Sequence, residues 1–251
     1  MAIPGDDKRS VQVRQSASPS SDELERSRSV INDVFEVLST ERAKWLFLGT
    51  LFRFAAGLSI GVWSASYYKM TFPDNASEYA VAQALITAVA GSSSGLIGGA
   101  IADWFTVNSP ENEEEDVNGK KLWIPVVGSV LAAPTFYMAL HAHSFQSAMA
   151  WLSIEYLVAE CWFGPTISVM LTTVGSKVGG TAQGLFTLTG GVANLAPTAL
   201  GWLYSRQLAT DASAQLNDIL TTAVCFAYLS SACCFAISAQ KSTRKITSKE
   251  A

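Results

Sequence analysis

Six long apolar stretches constrain this chain of 251 residues more than any other feature. Each is roughly 19 residues or longer, and a helix that rises about 1.5 Å per residue needs about 20 to cross the hydrocarbon core of a bilayer. The bilayer offers no water to backbone amides, so each stretch is predicted to be a helix. The six predicted spans are Trp45–Tyr68, Ala80–Phe105, Leu122–Leu140, Ser147–Thr173, Gly179–Tyr204 and Ile219–Ala239. The predicted fold class is therefore an all-α membrane protein with six transmembrane helices.

The polar segments outside the spans divide the chain. The predicted organisation is a disordered cytoplasmic tail over 1–29, an amphipathic linker helix over 30–44, a six-helix bundle over 45–240 and a basic cytoplasmic tail over 241–251. Val30, Val34 and Leu38 share one helical face, which favours a linker helix on the inner membrane surface or, alternatively, an early start of the first span. The net charge of -4 comes mostly from acidic residues in the tail and one loop, so no nucleic-acid partner is predicted.

The distribution of Lys and Arg predicts which side of the membrane each loop occupies. If the N-terminal tail is inside, most basic residues near the spans share that side, and the other side holds only Lys69 and Arg206. Positive charge is retained in the cytoplasm, so both termini of this multi-pass protein are predicted to be cytoplasmic.

Arg53, Glu155 and Glu160 are charged residues that lie well inside predicted spans. Each costs a few kcal/mol near the bilayer centre unless it is paired or hydrated, so each is a candidate functional residue. Helix rise places Arg53 and Glu160 about 8 Å apart in depth, nearly within reach of each other. They are predicted to form a structural ion pair, to bind an anionic group through Arg53, or to carry a proton on Glu160. Glu155 is about 15 Å from Arg53 in depth and is predicted near the outer interface or a hydrated cavity.

No arrangement typical of a membrane enzyme is present in the sequence. The run Gly91-Ser-Ser-Ser-Gly95 lacks the Gly-x-Ser-Gly pattern of six-helix serine proteases, and both histidines lie outside the spans. Asp103 is the only Asp inside a predicted span, whereas an aspartyl protease needs two. The cysteines have neither zinc nor redox spacing. The chain is therefore predicted to be no enzyme and to need no cofactor or metal. A six-helix channel or a non-transporting membrane subunit remains an alternative.

The end of the second span carries a recognisable motif. It reads G-L-I-G-G-A-I-A-D-W from Gly95 to Trp104, and a G-K-K triplet follows at 119–121 after an acidic insertion. This resembles the signature of the major facilitator superfamily, roughly G-G-x-x-A-D-R-x-G-R-R, although Trp104 replaces the first basic residue and the G-K-K half is displaced. The residues that the resemblance assigns to a conformational motif are Gly95, Gly99, Asp103, Gly119 and Lys120.

Three other segments resemble helices of such carriers. Residues 51–73 look like a seventh helix of the spinster-like branch, residues 159–165 like its tenth, and residues 180–204 like an eleventh helix. In that family the seventh and tenth helices line the central cavity. The resemblance therefore implies a substrate-binding role for Arg53, Glu160, Trp63, Tyr67 and Trp162.

The resemblance also implies a size and a mechanism. Members of the family have twelve helices in two halves and work by alternating access, and this chain resembles the second half alone. It is either a natural half-carrier or part of a longer gene product. The implied partners are the lipid bilayer, a small organic or lipid-like solute, and a second six-helix half or a second copy of the chain.

Overall fold

The computed structural model of the chain describes residues 31–108, 114–206 and 211–241, and the regular elements in these ranges are all helical. The helices are α1 over 31–37, α2 over Glu41–Thr71, α3 over Ala76–Leu85, α4 over Ser92–Val107, α5 over Glu114–Leu140, α6 over Phe145–Ala159, α7 over Phe163–Val174, α8 over Gly179–Ala193, α9 over Leu195–Arg206 and α10 over Ala212–Gln240. A π-helical turn over Ile86–Gly91 joins α3 to α4, and a 3-10 turn over Glu160–Trp162 joins α6 to α7. The tail predicted over 1–29 and nearly all of 241–251 lie outside the described residues.

Five helical stretches within the described residues are long and apolar enough to cross a membrane. They are Glu41–Thr71, Pro73–Val107, Val117–Leu140, Phe145–Val174 and Ala212–Gln240. An all-helical membrane protein is thereby confirmed, but the count of six is not. The predicted fifth span is occupied by α8 and α9, which separate at Asn194. Pro197 has no N–H to offer the carbonyl of Ala193, which weakens the helix at this point.

The centre of the bundle is α10, which packs along much of its length against both α2 and α5. Lipid supplies no hydrophobic force between helices, so close contacts depend on small residues and hydrogen bonds. Ser231 of α10 donates to the Gly49 carbonyl over 2.9 Å, and Ser238 donates to the Arg42 carbonyl over 2.8 Å. At Gly49 an added Cβ would meet the Phe235 ring at 3.1 Å, so glycine permits this close approach.

The described chain enters and leaves the bundle at one end, here called the Arg42 end. Arg42 Nε donates to the carbonyl of Lys241 over 2.7 Å. Helix α1 packs against the same end through Val37, which is fully buried, while Ile31 and Phe35 remain exposed. Helix α2 begins at Glu41, directly after its N-cap Thr40. This start lies within 30–44, the segment predicted as a linker helix.

Two apolar clusters fill the interior at different depths. The cluster nearer the Arg42 end contains Leu46 and Phe235, together with Trp162. The cluster nearer the opposite end contains Phe136 and Tyr228. The charged side chains predicted within the membrane lie at the boundary between these clusters.

Candidate functional site

The fourth span changes helix type at the site. Helix α6 ends at Ala159, residues Glu160–Trp162 form a 3-10 turn, and α7 follows. Pro165 lacks an N–H, so the Cys161 carbonyl loses its usual helical donor. The tighter 3-10 turn rotates Glu160 relative to its position on a continuous α-helix. This local break turns both the Ala159 carbonyl and the Glu160 carboxylate toward α2.

Arg53 of α2 is the centre of the cluster and is only 1% exposed. Its Nη2 donates to the Ala159 carbonyl over 2.9 Å and to Glu160 Oε1 over 3.1 Å. The predicted proximity of Arg53 and Glu160 is therefore observed as a direct ion pair. The two partners differ in exposure, since 36% of the Glu160 side chain remains accessible. The pair thus has a closed side at Arg53 and an open side at Glu160.

Two aromatic rings hold the guanidinium from different helices. The Arg53 Cζ atom lies 5.5 Å from the Trp162 ring centre and 5.0 Å from the Tyr228 ring centre. Cation–π contacts of a desolvated Arg contribute about 2 kcal/mol each. Trp162, a predicted site residue, therefore belongs to the cluster.

Glu155 lies elsewhere than expected. Its side chain is 1% exposed, and its Oε1 accepts a hydrogen bond from the Tyr228 hydroxyl. Its Oε2 has no hydrogen-bond partner among the described residues. The expectation of an exposed or hydrated position was wrong, because the Glu155 side chain is buried and bonds Tyr228, whose ring also contacts the Arg53 guanidinium.

Sequence reasoning did not find Tyr228. It lies on α10, in the sixth apolar stretch, which contains no charged residue after Asp218. A single signal was present: Tyr228 falls in the middle of that stretch, whereas membrane tyrosines concentrate at interfaces.

Two other predicted site residues lie away from this cluster. Trp63 donates through Nε1 to the Pro197 carbonyl over 2.9 Å and contacts Gly201, which ties α2 to α9. Tyr67 is buried near the opposite end, where it donates to the Leu140 carbonyl and accepts from Asn217 over 2.9 Å. The structure does not bring either residue into contact with Arg53.

The conformational motif divides into buried and open positions. Gly119 packs against α10, where an added Cβ would lie 2.8 Å from the Ala239 carbonyl oxygen. Among the described residues, no atom lies within 4 Å of the place where a Cβ of Gly95 or Gly99 would be. Asp103 and Lys120 are exposed near the Arg42 end.

The second and fourth spans approach each other at Gly98, which is not one of the predicted motif glycines. An added Cβ at Gly98 would lie 2.1 Å from the carbonyl oxygen of Cys161. Gly164 similarly approaches the Cα of Gly99. The backbone of α4 therefore lies directly against the helix break that orients Glu160.

No group of three or more His, Cys, Asp or Glu within the described ranges is arranged to hold a metal ion. The chemistry available in the cluster is that of one guanidinium, two carboxyl groups and one phenol. Such a set can bind an anionic group or hold a proton.

The chain matches none of the protein-family models and none of the curated proteins with which it was compared. One solved structure shares its fold, with a TM-score of 0.67 and 16% sequence identity. That structure is a bacterial homologue of the human lysosomal transporter Spinster, in an inward-facing and unoccupied conformation. The match covers 90% of this chain and 53% of the bacterial chain.

The fold is thus that of about half of a transporter. In particular, the fold is shared with about half of the bacterial Spinster homologue, in agreement with the spinster-like resemblance of the sequence. At this level of identity the likeness concerns the fold alone.

Proposed function

We propose that the chain is one half of a secondary carrier that moves a small organic or lipid-like solute by alternating access. The observation that carries the proposal is the ion pair between the buried Arg53 and the partly exposed Glu160, within a fold shared with about half of a bacterial Spinster homologue. Ionisable residues inside a membrane protein are costly and mark solute or ion pathways. The two halves of such carriers rock around a site near the middle of the membrane.

The solute site centres on Arg53. An anionic group of the solute approaches from the open side of the cluster and replaces Glu160 as the partner of the guanidinium. Arginine suits this exchange because its planar guanidinium binds carboxylates and phosphates in two-bonded geometry. Trp162 and Tyr228 keep the guanidinium in place during the exchange, because their rings contact it independently of Glu160.

The glycines of α4 and α8 support the need for a second half, because the space beside them is open within the described chain. Gly95 and Gly99 on α4, and Gly180 and Gly184 on α8, have no atom within 4 Å of an added Cβ. Glycines at four-residue spacing let membrane helices approach closely. We infer that these faces pack against a second six-helix half or a second copy of this chain. Asp103, exposed at the end of α4, then meets the positive N-terminus of a partner helix.

The helices α8 and α9 together make the sixth crossing in this proposal. Five crossings alone would put the two described chain ends on opposite sides of the bundle, whereas Arg42 contacts Lys241. The excess of Lys and Arg then places both ends in the cytoplasm. Tags at the two termini and protease treatment of sealed vesicles of known orientation test this: termini on opposite sides would contradict six crossings.

The solute site is tested with two lipid-like compounds that differ in one phosphate. Lysophosphatidic acid and the monoacylglycerol with the same chain are added to the purified chain, and the thermal unfolding midpoint is measured. Only the phosphate-bearing compound is expected to raise it. The double variant Arg53→Gln, Glu160→Gln keeps the cluster neutral and is expected to abolish the shift, while Lys120→Gln is expected to keep it. Equal shifts for both compounds would contradict an anion site at Arg53.

The half-carrier proposal is tested by mass and by transport. The chain is purified in mild detergent, its oligomeric mass is determined, and uptake of labelled lysophosphatidic acid is measured in proteoliposomes. A monomer is expected to show no uptake. A stable monomer that takes up the solute would overturn the proposal, and a steady ionic conductance in planar bilayers would favour the six-helix channel instead.

A further inference from the structure

The Gln83 side chain connects the second and fourth spans through polar groups. Its Nε2 donates to the Tyr156 hydroxyl of α6 over 2.7 Å and to the Thr87 hydroxyl over 3.3 Å. Its Oε1 accepts from the Tyr79 hydroxyl over 3.4 Å. Thr87 lies in the π-helical turn Ile86–Gly91, and such turns are rare and occur often at functional sites. Gln83, Thr87 and Tyr156 are here called the Gln83 cluster.

The Gln83 cluster keeps a hydrogen-bond donor for a group outside itself. A hydroxyl that accepts from an amide still has its own proton to donate. If the Thr87 and Tyr156 hydroxyls bond each other, one of their two protons remains. Thr87 is exposed, and Gln83 and Tyr156 are only partly buried, so a ligand can reach this proton. One donor and one acceptor are enough to hold two membrane helices together, so the cluster has more hydrogen-bonding capacity than packing requires.

A cavity of about 330 Å³ lies between α2 and α3 beside the cluster. Gln83 lines it from α3, and Gly61 lines it from α2. One turn before Gly61, an added Cβ at Gly57 would lie 3.5 Å from Arg53 Nη1. Along the line from Gly57 to Gly61, α2 therefore places no side chain between the guanidinium and the cavity.

Helix α6 connects the cluster to the anion site on the other side. Tyr156 and Glu160 are four residues apart, which is about 6 Å along a helix. An added Cβ at Gly91 would lie 3.6 Å from the Tyr156 ring and 3.9 Å from Glu160 Cγ, so both side chains face the π-helical turn. Glu160 is the open side of its pair with Arg53. A solute with its anionic group at Arg53 therefore has its next few atoms beside the Gln83 cluster.

We propose that the Gln83 cluster is a second subsite for the solute, where a hydroxyl or carbonyl oxygen of the solute accepts a hydrogen bond. The amide of Gln83 holds the two hydroxyls in place, and one of them donates to the solute oxygen. The subsite selects anions that carry such an oxygen close to the charged group, in preference to an anion attached directly to a hydrocarbon chain. One neutral hydrogen bond changes a dissociation constant by about fivefold. The proposal rests on the anion site proposed at Arg53.

The experiment compares two phosphates with the same hydrocarbon chain. Oleoyl lysophosphatidic acid has a glycerol ester between the chain and the phosphate, and oleyl phosphate has none. The dissociation constant of each is measured for the purified full chain in one mild detergent. The ratio of the two constants is then compared between variants, because this comparison cancels the partition of each lipid into the detergent. Tyr156→Phe is expected to lower the preference for lysophosphatidic acid about fivefold and to leave the constant of oleyl phosphate unchanged within about twofold.

A second variant, Thr87→Val, removes an exposed hydroxyl and is expected to lower the preference in the same direction. The matched control is Tyr137→Phe, which removes the hydroxyl of an exposed tyrosine that stacks on His141 and is expected to leave the ratio unchanged. A ratio that neither Tyr156→Phe nor Thr87→Val changes would overturn the proposal. Equal weakening of both phosphates in Tyr156→Phe would overturn it as well, because a hydrogen bond that only holds α3 against α6 would give that result.

The double variant Arg53→Gln, Glu160→Gln separates this proposal from the anion site. It is expected to abolish binding of both phosphates. If it does so while Tyr156→Phe leaves the ratio unchanged, the second subsite is refuted and the anion site stands. If neither phosphate binds the unmodified chain, the anion site fails and the second subsite fails with it.

Discussion

The centre of the bundle and its second span are packed in different ways. In α10, half of the most apolar 18-residue window is buried, whereas in the span Pro73–Val107 the share is 17%. The centre is joined by side chains that reach backbone carbonyls on neighbouring helices, as Ser231 does at Gly49. The second span contacts the bundle through α6, the helix break at 160–162 and α7, and among the described residues no atom occupies the space that a Cβ at Gly95 or Gly99 would fill.

This difference separates stability within the chain from assembly with a partner. Lipid solvates an exposed apolar helix well, so the second span needs no covering to remain in the membrane. The buried charged side chains, in contrast, must be paired within the bundle, because an unpaired ion in hydrocarbon is costly. Substitutions at the centre should therefore change folding of the single chain, and substitutions on the glycine stripe should change association.

The largest effect is expected for Arg53→Leu. Removal of the guanidinium leaves the Glu160 carboxylate without its partner and should lower the free energy of unfolding by about 3–5 kcal/mol. The measurement is denaturant unfolding of the purified chain in mild detergent. Arg206→Leu is the matched control, because this exposed arginine only stacks on Trp202 and should have a small effect. Additive losses in a double-mutant cycle with Glu160→Gln would contradict the pairing.

The next effect compares adjacent glycines of α4. Gly98→Ala places a methyl group against the backbone of Cys161 and should cost about 3 kcal/mol, the upper part of the usual range for overpacking. Gly99→Ala points into open space and should change the unfolding free energy by about 0.5 kcal/mol or less. The same unfolding assay measures both variants. Equal losses of unfolding free energy would refute the close approach of α4 to the helix break. Association between chains should depend more on position 99 than on position 98. Gly99→Leu should therefore lower the oligomeric mass that is measured in detergent solution.

A smaller effect is expected when the Glu155 carboxyl is replaced. One carboxylate, Glu160, already balances Arg53, so a neutral Gln at 155 that still accepts from Tyr228 should cost less than about 1 kcal/mol. Glu155→Ala leaves the buried Tyr228 hydroxyl without its acceptor and should cost about 2 kcal/mol. Unfolding of the two variants side by side tests this. A loss for Gln as large as the loss for Ala would contradict this, because it would show that the charge of Glu155, and not its hydrogen bond, stabilises the cluster.

The smallest effect concerns the N-terminus of α10, at the bundle surface. Asp211 accepts hydrogen bonds from the backbone N–H of Ala214 and Ser213 and from the Ser213 hydroxyl, and these lower the pKa of its carboxyl. Its stabilising contribution is therefore present above the ordinary Asp pKa of about 3.9 and is lost as pH falls through the lower folded value. Asp211→Asn should retain the cap and flatten this pH dependence. The check is the thermal midpoint between pH 6 and pH 3, and an identical decline in both proteins would exclude Asp211 as its source.

The sequence by itself determined the membrane class and the position of most spans, and it gave an Arg53–Glu160 ion pair as one of three alternatives. Apolar length is read directly from the chain, because the hydrocarbon thickness sets how many residues a crossing needs. The pair followed because two opposite charges at nearly equal depth have few other partners in hydrocarbon. Depth along a helix is thus available from residue number alone.

Only the tertiary structure decided which faces meet. The depth argument separated Arg53 from Glu155, and it did not include Tyr228, whose ring and hydroxyl join them from a third helix. The resemblance assigned Gly95 and Gly99 to a conformational motif, yet Gly98 between them makes the close contact with the fourth span. The rotation of each helix about its own axis depends on all its neighbours at once, and the break at 160–162 alters that rotation in the middle of a span. No single stretch of sequence contains this information, because it arises when separate helices pack together.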